Sequence, residues 1–248
     1  MKIANGLEML EIHDSMFGTP GVFNPTLIWD DSEVVLVDTG LPGERELIRE
    51  TVEKAGVTFD SISKIIITHQ DTDHIGNLAA IVKGSTIPVQ VFSHEVEKPY
   101  IQGDLTPIKM TPKRIAEMEV MLNKLPEEKR NKIKKTFSNL TAKVDKTLED
   151  GEVLPFCGGI QIIYTPGHTP GHICLYLKKY KTLVSGDALN VIEGNLCGPN
   201  PEFTFNMEEA VASLKKLSKY DIETVICYHG GIYSGDVNNR IKELYSGN

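Results

Sequence analysis

Apolar residues come in short blocks with strand character at both ends of the chain, with helical spacing between them. Leu7–His13, Thr26–Trp29 and Val34–Asp38 read as strands, broken by Asp30-Asp31 and by Gly40, Pro42 and Gly43, and they predict an opening hairpin. From Glu44 to Ala55 the period becomes helical, with Leu47, Ile48, Thr51 and Val52 on one side and Gly56 as the stop. Lys64–Thr68 is a short apolar run suited to a strand covered on both faces; a helix over Ile75–Val82 and a strand over Val89–Phe92 follow.

Residues 94–150 differ, carrying twelve Lys plus Arg and ten Asp plus Glu in a region of helix and loop. Ile115, Met118, Leu122 and Leu125 form an amphipathic stripe ended by Pro126, and Glu127–Lys135 is a charge run that reads as a solvated face. Met110, Met118 and Met121 are spaced like a core stripe, with a flexible apolar lid as the alternative. Strands return at Ile160–Tyr164, Ile173–Leu177, Thr182–Ser185 and Thr224–Tyr228, with helices near Met207–Ser218 and Val237–Tyr245. The order predicts two α/β halves sharing one core, a single domain over 1–248 with a helical insertion near 94–150.

Composition narrows the class. With 40% hydrophobic and 24% charged residues the chain is an ordinary globular one, and a net charge of −8 argues against nucleic acid or an anionic membrane as partner. Glu8, Glu11, His13 and Asp14 interrupt the apolar stretch that a signal peptide needs, which predicts a cytoplasmic protein. Cys157, Cys174, Cys197 and Cys227 are widely spaced without a C-x-x-C pair, as expected of free thiols.

The chemistry lies where strands end. His69-Gln70-Asp71-Thr72-Asp73-His74 places four candidate metal ligands within six residues just after an apolar strand. In an extended turn alternate side chains point the same way, so His69, Asp71 and Asp73 can converge while Gln70 and Thr72 point elsewhere, and His74 enters as the next helix begins. Three further junctions repeat this arrangement: Thr165-Pro166-Gly167-His168, Gly186-Asp187 and Tyr228-His229. His172 reads as a packing residue, while His13 and His94 have no partner motif. Tyr228 and Asn190 stand beside ligand candidates and fit either a substrate role or packing.

With these motifs in this order, and the turn Val37-Asp38-Thr39-Gly40 before them, the chain resembles the metallo-β-lactamase superfamily nearly end to end. The resemblance implies an α/β (α+β) fold, a four-layer αββα sandwich with a two-metal site in the cleft between its sheets. It places His69 and His168 on the first metal, Asp73, His74 and His229 on the second, Asp187 between them and Asp38 beneath. The implied activity is hydrolysis of a small-molecule lactone, ester or thioester by a metal-activated hydroxide, with Asp73 orienting the nucleophile or passing its proton. One position departs: the family's His-x-His-x-Asp-His becomes His-x-Asp-x-Asp-His, with Asp71 as the seventh candidate ligand. A third carboxylate lowers the net charge of a hydroxide-bridged two-metal cluster from +1 to zero, which disfavours polyanionic substrates. Zinc is the expected metal, two divalent ions the expected number with a single ion the alternative that Asp71 leaves open, and the harder site lets manganese or iron compete. An iron-containing oxidoreductase and a non-catalytic metal-binding regulator are the alternatives.

Overall fold

The computed structural model describes residues 1–14 and 21–247. The N-terminal half contributes β1 (Lys2–Ala4), β2 (Leu7–Met9), β3 (Ile12–Asp14), β4 (Gly21–Phe23), β5 (Thr26–Trp29), β6 (Val34–Val37), β7 (Lys64–Ile66), β8 (Gln90–His94) and β9 (Lys146–Leu148). Its helices are α1 (Arg45–Lys54), α2 (Thr72–Ile75), α3 (Leu78–Gly84), α4 (Lys98–Ile101), α5 (Pro112–Asn123) and α6 (Glu127–Phe137). The C-terminal half adds β10 (Val153–Leu154), β11 (Ile160–Tyr164), β12 (Ile173–Leu177), β13 (Thr182–Val184), β14 (Asn190–Ile192), β15 (Asn195–Cys197), α7 (Met207–Leu217), β16 (Thr224–Cys227), β17 (Gly231–Ser234) and α8 (Val237–Ser246).

Two mixed sheets face each other, ordered β1-β2-β5-β6-β7-β8-β9 and β10-β11-β12-β13-β16-β17. Their inner faces meet in one apolar cluster containing Val35, Val37, Ile66, Ile162, Leu175 and Ile226. Because strand side chains alternate, the opposite faces need their own cover. Ile48 and Val52 of α1 with Leu78 and Ile81 of α3 cover the first sheet, and Leu214, Leu217 and Ile241 of α7 and α8 cover the second. The result is the expected αββα sandwich.

Strand direction sets where the chemistry lies. β6, β7, β8 and β9 run parallel, as do β13 and β16, with Val37 opposite Ile66 and Val184 opposite Ile226. Asp38, the His69–His74 segment, Asp187 and His229 therefore all leave from carboxyl ends of parallel strands, where open α/β sheets gather their ligands.

Three local expectations change. The strand read over Leu7–His13 divides, because Leu10 N–H turns aside to Pro25 O at 2.8 Å and Ile12–Asp14 pairs with Gly21–Phe23 as a separate ribbon. The helix read over Ile75–Val82 is two helices. Gly76 between them packs so closely that a Cβ there would lie 2.3 Å from Gly40 O, and Asn77 Nδ2 donates to Thr39 O and Leu41 O, both at 2.6 Å. The methionine stripe is not core: no residue of α5 is buried, and Met110, Met118 and Met121 line a cavity of about 600 Å³ between α5, α6 and the segment 100–107. The helices of the 94–150 region form as expected, but β9 closes the edge of the first sheet within it. Cys157, Cys174 and Cys227 are buried free thiols and Cys197 is half-buried.

Candidate metal centre

All seven candidate ligands converge at one end of the cleft. Two groups have ligand atoms within 4.8 Å of one another: His69, Asp71, His168 and Asp187 in the first, and Asp73, His74 and His229 in the second. Asp187 lies between them, with Oδ1 3.2 Å from His74 Nε2 and Oδ2 3.3 Å from both His168 Nε2 and His229 Nε2. Asp73 Oδ2 is 3.3 Å from His229 Nε2. Asp71 does face the site: its Oδ2 is 3.3 Å from His69 Nε2 and 3.1 Å from His168 Nε2.

The rings are oriented from behind, a role usual for the outer partners of metal-binding histidines. Asp38, held at φ 61°, accepts from Thr68 N–H at 2.9 Å, from the Thr68 hydroxyl at 2.8 Å and from His74 Nδ1 at 2.9 Å. With the Thr68 proton directed to Asp38, His69 Nδ1–H donates to Thr68 Oγ1 at 3.0 Å, and His69 Nε2 presents a lone pair to the cleft. Tyr228 packs on His74 with ring centroids 3.9 Å apart and planes tilted by 33°, and its hydroxyl bridges Gly40 N–H and Asp73 O, so it braces the site. Burial and the nearby carboxylates keep its phenol protonated well past the usual range. His172 is fully used: Asp187 N–H donates to its Nε2 at 3.1 Å and its Nδ1–H donates to Thr165 Oγ1 at 2.9 Å. His94 is buried and stacked on Tyr164, His13 is exposed, and Asn190 Nδ2 donates to Gly198 O at 3.1 Å.

Charge in the site is divided. Burial and the charge on His74 hold His69 well below the usual imidazole range, so it is neutral. Burial also opposes charge on His74 and His229, but for His74 the carboxylates Asp38, Asp187 and Asp73 outweigh it, and for His229 Asp187 and Asp73 raise the pKa to about 10. Imidazoles that ligate metal do so in the neutral form, so His74 and His229 would give up those protons on binding a dication. Among the described residues, the buried atoms His69 Nε2, His74 Nε2 and Asp187 Oδ1 have no hydrogen-bond partner; the last two are close but out of alignment. Buried polar atoms left without partners are costly, and their convergence in an imidazole and carboxylate donor set fits a divalent metal.

Two participants were not expected from the sequence. The ammonium of Lys109 reaches Asp71 Oδ2 and lies 2.7 Å from His168 Nε2. Glu97, fully buried, accepts from Gln70 N–H and Gln70 Nε2 at 2.9 Å each, from Thr169 Oγ1 at 2.8 Å and from Gly171 N–H at 2.7 Å. It thereby ties the His69 loop to the His168 loop. Burial pushes its carboxyl up, and the four donors work against that. The cleft above is a cavity of about 680 Å³ walled by Met110, Val191, Ile192, Pro199 and Phe203 as well as by the polar cluster.

Known proteins resemble this chain in sequence and in fold. The family model for the Metallo-beta-lactamase superfamily matches residues 18–229. The "Probable metallo-hydrolase YflN" of Bacillus subtilis is 33% identical over 209 residues, spanning 79% of this chain and 75% of that protein. A hydroxyacylglutathione hydrolase of Idiomarina loihiensis is 30% identical over 215 residues, spanning 84% of this chain and 62% of its own length. Among solved structures, a metallo-beta-lactamase family protein of Thermus thermophilus superposes with a TM-score of 0.72 at 25% identity, covering 99% of this chain and 80% of that one. Family match, relatives and superposition agree with the motif order and the convergent donor set, and the chain belongs to the metallo-beta-lactamase superfamily.

Proposed function

We propose that this metallo-hydrolase cleaves a carboxylic ester, lactone or thioester in a small molecule that carries an apolar group next to the carbonyl. The observation that carries the reading is the convergence of buried His69 Nε2, His74 Nε2 and Asp187 Oδ1, none of them in an aligned hydrogen bond, at the floor of a cavity with apolar walls. His69, Asp71, His168 and Asp187 on one side, and Asp73, His74 and His229 with Asp187 on the other, are the residues that offer ligand atoms to divalent metal, zinc first and manganese or iron in competition. A divalent ion bound there supplies Lewis acidity and a water acidic enough to be a nucleophile near neutral pH.

The chain's own residues do the rest. Asp73, one quarter exposed and turned to the cavity, is placed to hold the nucleophile's proton on Oδ2 and return it to the leaving group. Met110, Val191, Ile192 and Phe203 supply apolar surface that keeps water from the reacting carbonyl. Three carboxylates facing the cavity in a chain of net charge −8 oppose a phosphodiester. A relative named as a hydrolase of an acyl-glutathione supports carbonyl chemistry.

The test is turnover of aryl esters, lactones, thioesters and a bis-aryl phosphodiester by protein loaded with zinc or manganese. Carboxylic substrates should be hydrolysed, chelation should abolish the activity and added metal should restore it. Faster cleavage of the phosphodiester, or activity indifferent to chelation, would remove the proposal.

A further inference from the structure

In the first ligand group a cation is already in place. Lys109 Nζ contacts Asp71 Oδ2 and lies 2.7 Å from His168 Nε2, two of the atoms that would ligate a first metal, and it lies among groups that are at most one fifth exposed. Its position is built in by the fold. The preceding residue, Ile108, donates its N–H to Gln70 Oε1 at 2.8 Å, while Gln70 donates from both its backbone N–H and Nε2 to the buried Glu97. Glu97 in turn holds Thr169 and Gly171 of the His168 loop. The segment that delivers the ammonium is thus anchored to both ligand loops between which it inserts.

This pairing also gives Asp71 a physical reason. An imidazole at position 71 could not balance an ammonium, whereas a carboxylate can, and a half-buried lysine head group is favoured by such a partner. Asp71, Asp73 and Asp187 carry −3, which one dication and the Lys109 ammonium together match, and a second dication would have to share Asp71 Oδ2 and His168 Nε2 with the ammonium already on them.

Resting on the metallo-hydrolase reading above, we infer that Lys109 takes the place of the first metal, so that the chain holds one dication tightly, in the group of Asp73, His74, His229 and the intervening Asp187, and uses the ammonium as the cation of the other group. The Lys109 side chain lines the cavity, so its N–H groups are the donors on that side for the oxygen of a bound carbonyl substrate.

Calorimetric titration of metal-free protein with zinc, together with metal analysis after desalting, tests this directly on wild type, Lys109→Met and Lys109→Arg. Wild type should retain one equivalent per chain. Lys109→Met, which keeps bulk and removes charge, should bind a second equivalent at least about tenfold more tightly than wild type does, the scale on which single partners of metal ligands act. Lys109→Arg keeps the charge and should show no such gain. Two equivalents held equally tightly by wild type, or a second site unchanged in Lys109→Met, would overturn the inference while leaving the metallo-hydrolase reading intact. No metal bound by any of the three would overturn both. Thermal unfolding of the metal-free variants within a few degrees of wild type confirms that the comparison is made on folded protein.

Discussion

Asp187→Ala should empty the centre of metal. The carboxylate sits among three imidazoles, 3.2–3.3 Å from His74, His168 and His229, and although burial opposes its ionisation, His229, His74 and His168 hold it well below the usual carboxylate range. Alanine removes this anion and leaves imidazoles facing one another, so an entering dication would meet weaker donors and lose its main charge compensation. Because even an outer partner of a ligand is worth roughly 10–100-fold in metal affinity, loss of the central carboxylate should cost more than about 100-fold. Hydrolysis should fall below detection at metal concentrations that saturate wild type. Asp187→Asn separates charge from space: it keeps one oxygen and should weaken binding less. Metal analysis showing wild-type content in Asp187→Ala would exclude a central role for this side chain.

The largest effect on stability should come from Glu97→Ala. Four donors converge on the two buried Glu97 oxygens, from two loops that belong to opposite sheets. Each buried donor left without an acceptor costs about 1–3 kcal/mol, and with partial relaxation the total should be about 3–5 kcal/mol. At about 2–4 °C per kcal/mol for a chain of this size, the midpoint should fall by roughly 10 °C. Glu97→Gln keeps one acceptor and should fall about half as far. Denaturant unfolding that finds Glu97→Ala within about 1 kcal/mol of wild type would show that the loops are held by other means. Metal affinity should drop in parallel, because the His69 and His168 loops would no longer share an anchor.

Much of the site was legible because its residues obey local rules. A short apolar strand ending in His or Asp announces both the burial of the strand and the polar character of its carboxyl end, and four such junctions in one chain leave little besides a shared centre. The supporting role of Asp38 comes from the resemblance, through the turn Val37-Asp38-Thr39-Gly40. Lys109 and Glu97 obey no such rule. Glu97 lies 27 residues and Lys109 38 residues from their partners in the 69–71 segment, in a region that reads only as helix and loop of mixed charge. The extra carboxylate at position 71 reads only as a change in the charge of a two-metal cluster, and nothing local to it names a lysine 38 residues away. The stripe Ile115, Met118, Leu122 is amphipathic, as its spacing predicts. Its apolar side meets α6 and a cavity where a core was expected, because the separation of two helices from the body of the fold depends on tertiary packing that periodicity does not encode. The division of Leu7–His13 was hidden likewise, since the strand propensity continues across Leu10 and only the pairing changes partner.

The most direct test of the centre is X-ray diffraction from crystals of zinc-loaded protein, with anomalous maps calculated on both sides of the zinc edge. A peak is expected about 2.0–2.2 Å from His74 Nε2, His229 Nε2 and carboxylate oxygens of Asp73 or Asp187, the distances at which zinc binds nitrogen and oxygen. No zinc-specific peak at these residues in protein that retains zinc in solution, or a peak on ligands elsewhere in the chain, would contradict the assignment.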